Sequence, residues 1–238
     1  MDAQDDSLIF HLEALRIMLI KCLSALAICV VPLFFAAPYC LDLLIHFIIG
    51  QNEVSLNYFS PLEVFILQIK IALVLDLLVC FPYIARQVWL FLIPALYDHE
   101  RKFIKSVVLI SSSLFIYGVL FCLFFILPLL VNFGLSFASA EIKAVWGVSS
   151  IMSLALWLSV VFGLMFQFPL ITYSLLQADI VAYNTMKSKR SYIFVGILLV
   201  SGILTPPDIV SQLLLTAPTY LLFEIGLFFG KKKKQTNK

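Results

Sequence analysis

Residues 105–130 read KSVVLISSSLFIYGVLFCLFFILPLL, a run in which the lysine at the start is the one charged side chain. An α-helix needs about 20 predominantly apolar residues to cross the hydrocarbon core of a bilayer. This run is long enough and apolar enough to do so. It therefore predicts a transmembrane helix.

Similar runs recur along the rest of the chain. Apolar residues make up 62% of its 238 residues and charged residues 13%, against roughly 45–50% and 25% in soluble domains. We therefore predict an all-α membrane protein that forms a single integral membrane domain over residues 1–238. The net charge of +2 is too small to suggest a nucleic-acid partner, and the chain is too apolar to be disordered. The six transmembrane helices are expected near residues 17–37, 63–84, 105–130, 151–176, 191–204 and 211–229.

The distribution of basic residues predicts the orientation. An even number of crossings puts both termini on one side of the membrane, and cytoplasmic segments are enriched in Lys and Arg. Both termini are therefore predicted to be cytoplasmic, because thirteen of the sixteen basic residues fall on the side of the termini. These thirteen are Arg16, Arg86, Arg101, Lys102, Lys105, Lys187, Lys189, Arg190, Lys231, Lys232, Lys233, Lys234 and Lys238.

Prolines predict that the helices are not straight rods. Five of the six spans carry a proline within or near them, and proline removes a backbone donor and bends a helix. We therefore expect kinked helices that form a concave cup. The prolines concerned are Pro32, Pro82, Pro128, Pro169 and Pro218.

The fifth and sixth helices are expected to be short. Seventeen residues separate Arg190 from Asp208, and Pro206 and Pro207 end the fifth helix on the outer side. About 13–14 helical residues reach roughly 20 Å, well below the roughly 30 Å of the hydrocarbon core. We therefore expect the bilayer to thin locally or the charged flanks to be drawn inward.

A further short helix is expected after the first span. Leu41, Leu44, Ile45 and Ile48 recur at helical spacing before Gly50, which favours a separate helix lying on the outer interface. A re-entrant turn would show the same periodicity and remains the alternative.

The sequence carries little catalytic chemistry. It shows no evident convergence of His, Cys, Asp or Glu side chains and no G-x-x-x-x-G-K-[ST] nucleotide loop. We therefore expect no enzymatic activity, no cofactor and no metal. An odd number of cysteines without a C-x-x-C pair favours small core residues over a disulfide framework or a zinc site. The five cysteines are Cys22, Cys29, Cys40, Cys80 and Cys122.

The polar side chains inside predicted spans include Lys70, Asp76 and Gln167. A charge at mid-bilayer costs on the order of 2.5–3.5 kcal/mol, so each should face protein or trapped water. Lys70 and Asp76 lie about 240° apart around a helix, so they cannot pair directly. For Gln167, an interhelical hydrogen bond and a direct functional contact both remain open. If these three residues lined one midplane site, the chain would be a small-solute secondary transporter, although no internal repeat supports that alternative.

Several motifs occur in order along nearly the whole chain. They read HLEALR at residues 11–16, SPLE at 60–63 with Lys70, PALYDHER at 94–101, FGLMFQFP at 162–169, LTPPD at 204–208 with SQ at 211–212, and FEIG at 223–226. Together these motifs resemble the TatC family of the twin-arginine (Sec-independent) protein translocase. The combination is specific, whereas no single motif would suffice.

The resemblance implies a receptor in the bacterial plasma (inner) membrane. It would recognise twin-arginine signal peptides on folded precursor proteins, act with the subunits TatA and TatB in an oligomer, and draw on the proton-motive force. Glu100 matches the family's signal-binding glutamate, and a carboxylate suits a guanidinium because the two form parallel charge-assisted hydrogen bonds. The expected signal-peptide site also includes Glu13, Arg16, His99 and Arg101. A surface pairing of Glu100 with its basic neighbours is the alternative role.

The resemblance also implies partner contacts near the last two spans, at Gln212, Thr205 and Asp208. At two positions the sequence departs from the family pattern. Ala14 holds the usual acidic place, while Glu13 stands one position earlier, about 100° around a helix. Gln167 stands where a glutamate is usual, which removes a titrating group. We hypothesise that Asp76, which stands where the family generally has a small or apolar residue, partly replaces that acid.

Overall fold

The computed structural model of the chain is built almost entirely of helices. It describes residues 2–49, 55–92, 101–136, 145–178, 180–204 and 209–236. Two short strands are present, β1 (Ser55–Asn57) and β2 (Val145–Gly147). The helices are α1 (Asp2–Ile49), α2 (Pro61–Leu92), α3 (Arg101–Phe121), α4 (Leu127–Leu135), α5 (Val148–Met165), α6 (Phe168–Gln177), α7 (Tyr183–Ser188), α8 (Arg190–Leu204) and α9 (Ile209–Thr236).

The helices carry the apolar runs that the sequence predicts as membrane spans. Five helical stretches are long and apolar enough to cross a membrane, and α8 is a shorter apolar helix. Each of the six predicted spans overlaps one of these helices, and the all-α membrane class is confirmed. The five long stretches are Leu12–His46, Pro61–Leu92, Lys105–Leu135, Val148–Gln177 and Gln212–Gly230.

The expectation of a separate helix near residues 41–48 is wrong. Helix α1 runs without a break to Ile49, with Pro32 and Pro38 inside it. An apolar environment offers the backbone no water to bond, so a helix persists across a proline more readily than in a soluble protein. Apolar residues at helical spacing look the same in one long helix as in two, and the periodicity could not decide between them.

Two of the spans are interrupted close to a proline. A π-helical turn, Cys122–Ile126, separates α3 from α4, and Pro128 lies in the first turn of α4. Helix α5 ends at Met165, and α6 begins at Phe168 with Pro169 in its first turn. Proline is tolerated at the start of a helix, where its missing N–H has no intrahelical partner. The expected departure from straight helices is therefore confirmed in these two spans.

The chain divides into two compact units, residues 1–42 with 68–112 and residues 43–67 with 113–238. In the second unit, β1 and β2 pair in parallel with Leu56 opposite Trp146. These strands follow the first and third spans, so their pairing requires both loops to lie on the same side of the membrane. That agrees with spans that cross alternately.

Two apolar clusters form the core of the second unit. The helical stretch Val148–Gln177 is the most buried of the candidate spans, since 61% of the residues in its most apolar part are buried. The first cluster packs α5 against the π-helical turn and α9, and the second packs α6, α7, α8 and α9. The first comprises Cys122, Ile126, Leu158, Val161, Phe162, Met165 and Leu215, and the second comprises Leu176, Met186, Ile197, Phe223 and Leu227.

Candidate functional site

The predicted signal-peptide residues fall partly on described structure. Glu13 and Arg16 lie on α1, and both side chains are exposed. Because they are three positions apart on a helix, they share one face. Arg101 begins α3, but its side chain lies outside the described part of the chain, as do Glu100 and His99. The structure therefore places Glu13 and Arg16 on one face of α1, and the role of all five residues stays a prediction.

Of the predicted partner-contact residues, Gln212 is described, whereas Thr205 and Asp208 lie outside the described residues. Gln212 lies in the first turn of α9 and its Nε2 donates a hydrogen bond of 3.0 Å to the carbonyl of Leu198 on α8. A Cβ placed on Gly202 would lie 2.8 Å from the same Nε2. The amide therefore packs closely against α8 and joins the two helices.

Gln167 lies at the break between α5 and α6. Its Nε2 is 3.4 Å from the carbonyl of Gly163, and its backbone carbonyl accepts a hydrogen bond of 2.9 Å from the N–H of Ile171. A break in a helix leaves carbonyl groups without intrahelical donors. The side chain turns back toward the last turn of α5, which supports a role in holding this break.

Lys70 and Asp76 occupy different environments on α2. Lys70 is exposed, whereas Asp76 is 2% exposed. The thiol of Cys80 donates to Asp76 Oδ1 at 3.4 Å, and the Cys80 sulfur lies 4.0 Å from the carbonyl of Ala25 on α1. Cys29 is close by, and the ligand atoms of Cys29, Asp76 and Cys80 all lie within 4.8 Å of one another. Sequence analysis did not predict this cluster, because Cys29 lies 47 positions before Asp76 in the chain.

An ion pair joins α8 to α9, and sequence reasoning missed it. Arg190 Nη2 lies 2.7 Å from Glu224 Oε2, and the hydroxyl of Tyr220 donates to Glu224 Oε1 at 3.0 Å. The two charged side chains are 38% and 30% exposed. Glu224 is an acidic residue inside the predicted sixth span, and an acid in an apolar run needs a partner. That principle could have identified the pair from the sequence.

Each end of α8 contacts an interior position of a neighbouring helix and not the end of that helix. At one end, Arg190 reaches Glu224, six residues before Gly230 ends the apolar stretch of α9, or about 9 Å along the helix. At the other end, Trp157 Nε1 donates to the carbonyl of Leu204 at 2.6 Å. Trp157 is nine residues into α5, or about 13 Å. The length of the contacting side chains accounts for part of each of these two distances.

The predicted short fifth helix is confirmed. Helix α8 has 15 residues, which span about 22 Å, against a hydrocarbon core of about 30 Å. The sixth span is short in its apolar part, the 19 residues Gln212–Gly230, within a helix of 28 residues.

An apolar cavity of about 500 Å³ lies beside the paired strands in the second unit. The ring of Phe59 covers Gly147, since a Cβ on that glycine would lie 2.9 Å from the ring. A larger residue at this position would require the exposed Phe59 ring to shift. The cavity is lined by Phe59, Leu127, Leu130, Val131, Gly134, Trp146, Gly147, Ser150, Ile151 and Leu154.

Comparison with known families decides the identity of this fold. The profile of the family described as "Sec-independent protein translocase protein (TatC)" matches residues 10–218. The chain belongs to the TatC family. This confirms the family resemblance of the sequence motifs, and it favours a translocase component over a small-solute transporter.

Known TatC proteins match nearly the whole chain. The Sec-independent protein translocase protein TatC of Aquifex aeolicus is 36% identical over 235 residues, covering 96% of this chain and 98% of that protein. The TatC of Escherichia coli K12 is 33% identical over 233 residues, covering 94% and 88%. The TatC of Azotobacter chroococcum is 32% identical over 234 residues, covering 96% and 91%.

A solved TatC structure has the same fold. The crystal structure of a twin-arginine translocase receptor TatC superposes with a TM-score of 0.84 at 34% identity, covering 93% of this chain and 98% of that one. This TatC-family chain is therefore a multi-pass membrane protein and a component of the Sec-independent, twin-arginine protein translocase.

Proposed function

We propose that this chain is the receptor subunit that recognises twin-arginine signal peptides of folded precursor proteins. The observation that carries the proposal is membership of the TatC family over residues 10–218, which include the motif PALYDHER at 94–101. In this proposal Glu100 binds a signal arginine, while Glu13, Arg16, His99 and Arg101 complete the site. The exposure of Glu13 supports its part, because an exposed carboxylate is available to a ligand.

We further propose that the chain lies in the bacterial plasma (inner) membrane with both termini in the cytoplasm. The enrichment of basic residues on the side of the termini supports this orientation. The parallel pairing of β1 with β2 and the Arg190–Glu224 pair agree with alternate crossings, since each joins segments expected on one side. The site of signal recognition would then be cytoplasmic, where precursors are made.

TatA and TatB are the proposed partners, and the proton-motive force is the proposed energy source. Gln212 is the described residue among the proposed partner contacts, with Thr205 and Asp208 beside it in sequence. The apolar side chains along α1 offer another surface, because 6% of the residues in its most apolar stretch are buried. Lipid or the single helix of a partner subunit could cover such a face.

Signal binding tests the central proposal. We expect Glu100→Gln to weaken binding of a fluorescent twin-arginine peptide to the purified chain at least about tenfold, since a charge-assisted hydrogen bond contributes about 1.5–3 kcal/mol. A peptide with two lysines in place of the arginines should bind weakly to the unaltered chain. Its affinity for the Glu100→Gln variant should be nearly the same. Fluorescence anisotropy in detergent micelles measures both affinities.

Glu63→Gln provides the control for this experiment. Glu63 accepts a hydrogen bond of 3.0 Å from the N–H of Phe59, and it follows the first span, on the proposed outer side. Its loss should leave the peptide affinity unchanged. Equal affinity of the Glu100→Gln variant and the unaltered chain for the twin-arginine peptide would refute the proposed site.

The short α8 leads to a second prediction. Inserting one helical turn into α8 should reduce export of a twin-arginine precursor about tenfold, because relieving a mismatch of about 5 Å changes the membrane free energy by one to a few kcal/mol. Export is measured as mature precursor outside the cytoplasm. The same four residues inserted after Thr236 form the control. If the chain with the α8 insertion exported as much precursor as the unaltered chain, the short length of α8 would not be needed for transport.

A further inference from the structure

We propose that Cys29, Asp76 and Cys80 form a binding site for one zinc-class divalent cation between α1 and α2. In the described part of the chain, the two sulfur atoms and a carboxylate oxygen of these residues all lie within 4.8 Å of one another. Two thiolates and a carboxylate are ligands that Zn²⁺ accepts in proteins. This inference is independent of signal-peptide recognition and concerns residues with no part in the proposed receptor site.

The geometry is close to that of a tetrahedral site. Zinc bonds of about 2.3 Å to sulfur and 2.0–2.2 Å to oxygen place neighbouring donors about 3.5 Å apart. The Cys80 sulfur and Asp76 Oδ1 are 3.4 Å apart. Because Asp76 and Cys80 are one helical turn apart, they present their ligand atoms on the same face of α2. A small shift of the Cys29 side chain completes a three-ligand set.

Burial gives the site a physical reason to hold a cation. Asp76 is 2% exposed and Cys80 is 5% exposed, and both lie within an apolar span. A carboxylate there carries a large desolvation cost, which a bound cation offsets. The Ala25 carbonyl on α1 lies 4.0 Å from the Cys80 sulfur. A cation so placed cross-links α1 to α2, because its ligands come from both helices.

Cadmium titration of the purified, chelator-treated chain in detergent tests this site. Cd²⁺ replaces Zn²⁺ at thiolate sites and gives an ultraviolet charge-transfer absorption that Zn²⁺ does not. We expect uptake of one Cd²⁺ per chain, displaced by added Zn²⁺. The Cys29→Ser, Cys80→Ser double variant should lose the absorption, and Asp76→Asn should bind at least about tenfold more weakly, since each ligand contributes directly to affinity.

Cys122→Ser is the matched control, because Cys122 is fully buried but lies outside the cluster. It should bind like the unaltered chain. Bound metal should also raise the unfolding midpoint of the unaltered chain, a measurement that needs no variant. Failure of the unaltered chain to take up one metal ion overturns the proposal. Uptake that Asp76→Asn and the double variant leave intact also overturns it, as does a Cys29–Cys80 disulfide found in chain purified without reductant.

Discussion

Gly226→Ala is expected to lower the free energy of unfolding by about 3 kcal/mol, the upper part of the range for overpacking a close interface. A Cβ at this position would lie 2.6 Å from the carbonyl oxygen of Pro169 and 2.8 Å from its Cα. Both are backbone atoms of α6, so no side-chain rotation relieves the clash. Helices α6 and α9 would have to separate, and the packing that small residues permit between membrane helices would be lost.

Denaturant unfolding in detergent micelles measures this loss, and Gly196→Ala is the matched control. A Cβ on Gly196 meets no atom within 4 Å, and the residue lies within α8. Alanine there should leave stability unchanged or raise it by up to about 1 kcal/mol, because glycine in a helix interior costs that much. Gly118→Ala should behave like Gly226→Ala, since its Cβ would lie 2.6 Å from the carbonyl oxygen of Phe162. Equal stability of the Gly226 and Gly196 variants would contradict the proposed close approach.

The close helix contacts at these glycines could not be predicted from the sequence. Apolar runs predict the helices because each run carries its own evidence for a span. The tight contact of Gly226 with Pro169 depends on which helices become neighbours, and a single sequence does not reveal that. The strand pairing of Leu56 with Trp146 joins segments 90 positions apart through three residues each, too few to form a periodic pattern.

The candidate sites divide in the same way. The motif that contains Glu100 was visible in the sequence, because its residues are contiguous. Glu224 was also within reach, since an acid inside an apolar run demands a partner. The meeting of Cys29 with Asp76 and Cys80 could not be predicted, because it depends on the register between α1 and α2. Sequence patterns thus predict chemistry carried by contiguous residues more readily than chemistry assembled from two helices.

The second large effect is expected at the ion pair between α8 and α9. Arg190→Ala should destabilise the chain by about 2 kcal/mol, less than the 3–5 kcal/mol of a fully buried pair because both side chains are partly exposed. The substitution leaves the Glu224 carboxylate within an apolar stretch, with the Tyr220 hydroxyl as its remaining recorded donor in the described structure. Lys189→Ala removes an exposed neighbouring charge and should change stability by less than about 0.5 kcal/mol.

A double variant distinguishes the stabilisation that the ion pair contributes from the destabilisation that an unpaired charge causes. Replacing both partners, as in Arg190→Met with Glu224→Met, should cost less than Arg190→Ala alone, because no charge is then left without its counterion. The charge-exchanged variant, Arg190→Glu with Glu224→Arg, should recover part of the stability through the same 2.7 Å contact. Denaturant unfolding compares the stability of these three variants with that of the unaltered chain. If the double methionine variant were less stable than Arg190→Ala, the pair itself would be the stabilising element. In that event α8, whose 15 residues are too few to span the hydrocarbon core, would depend on this ion pair for its position.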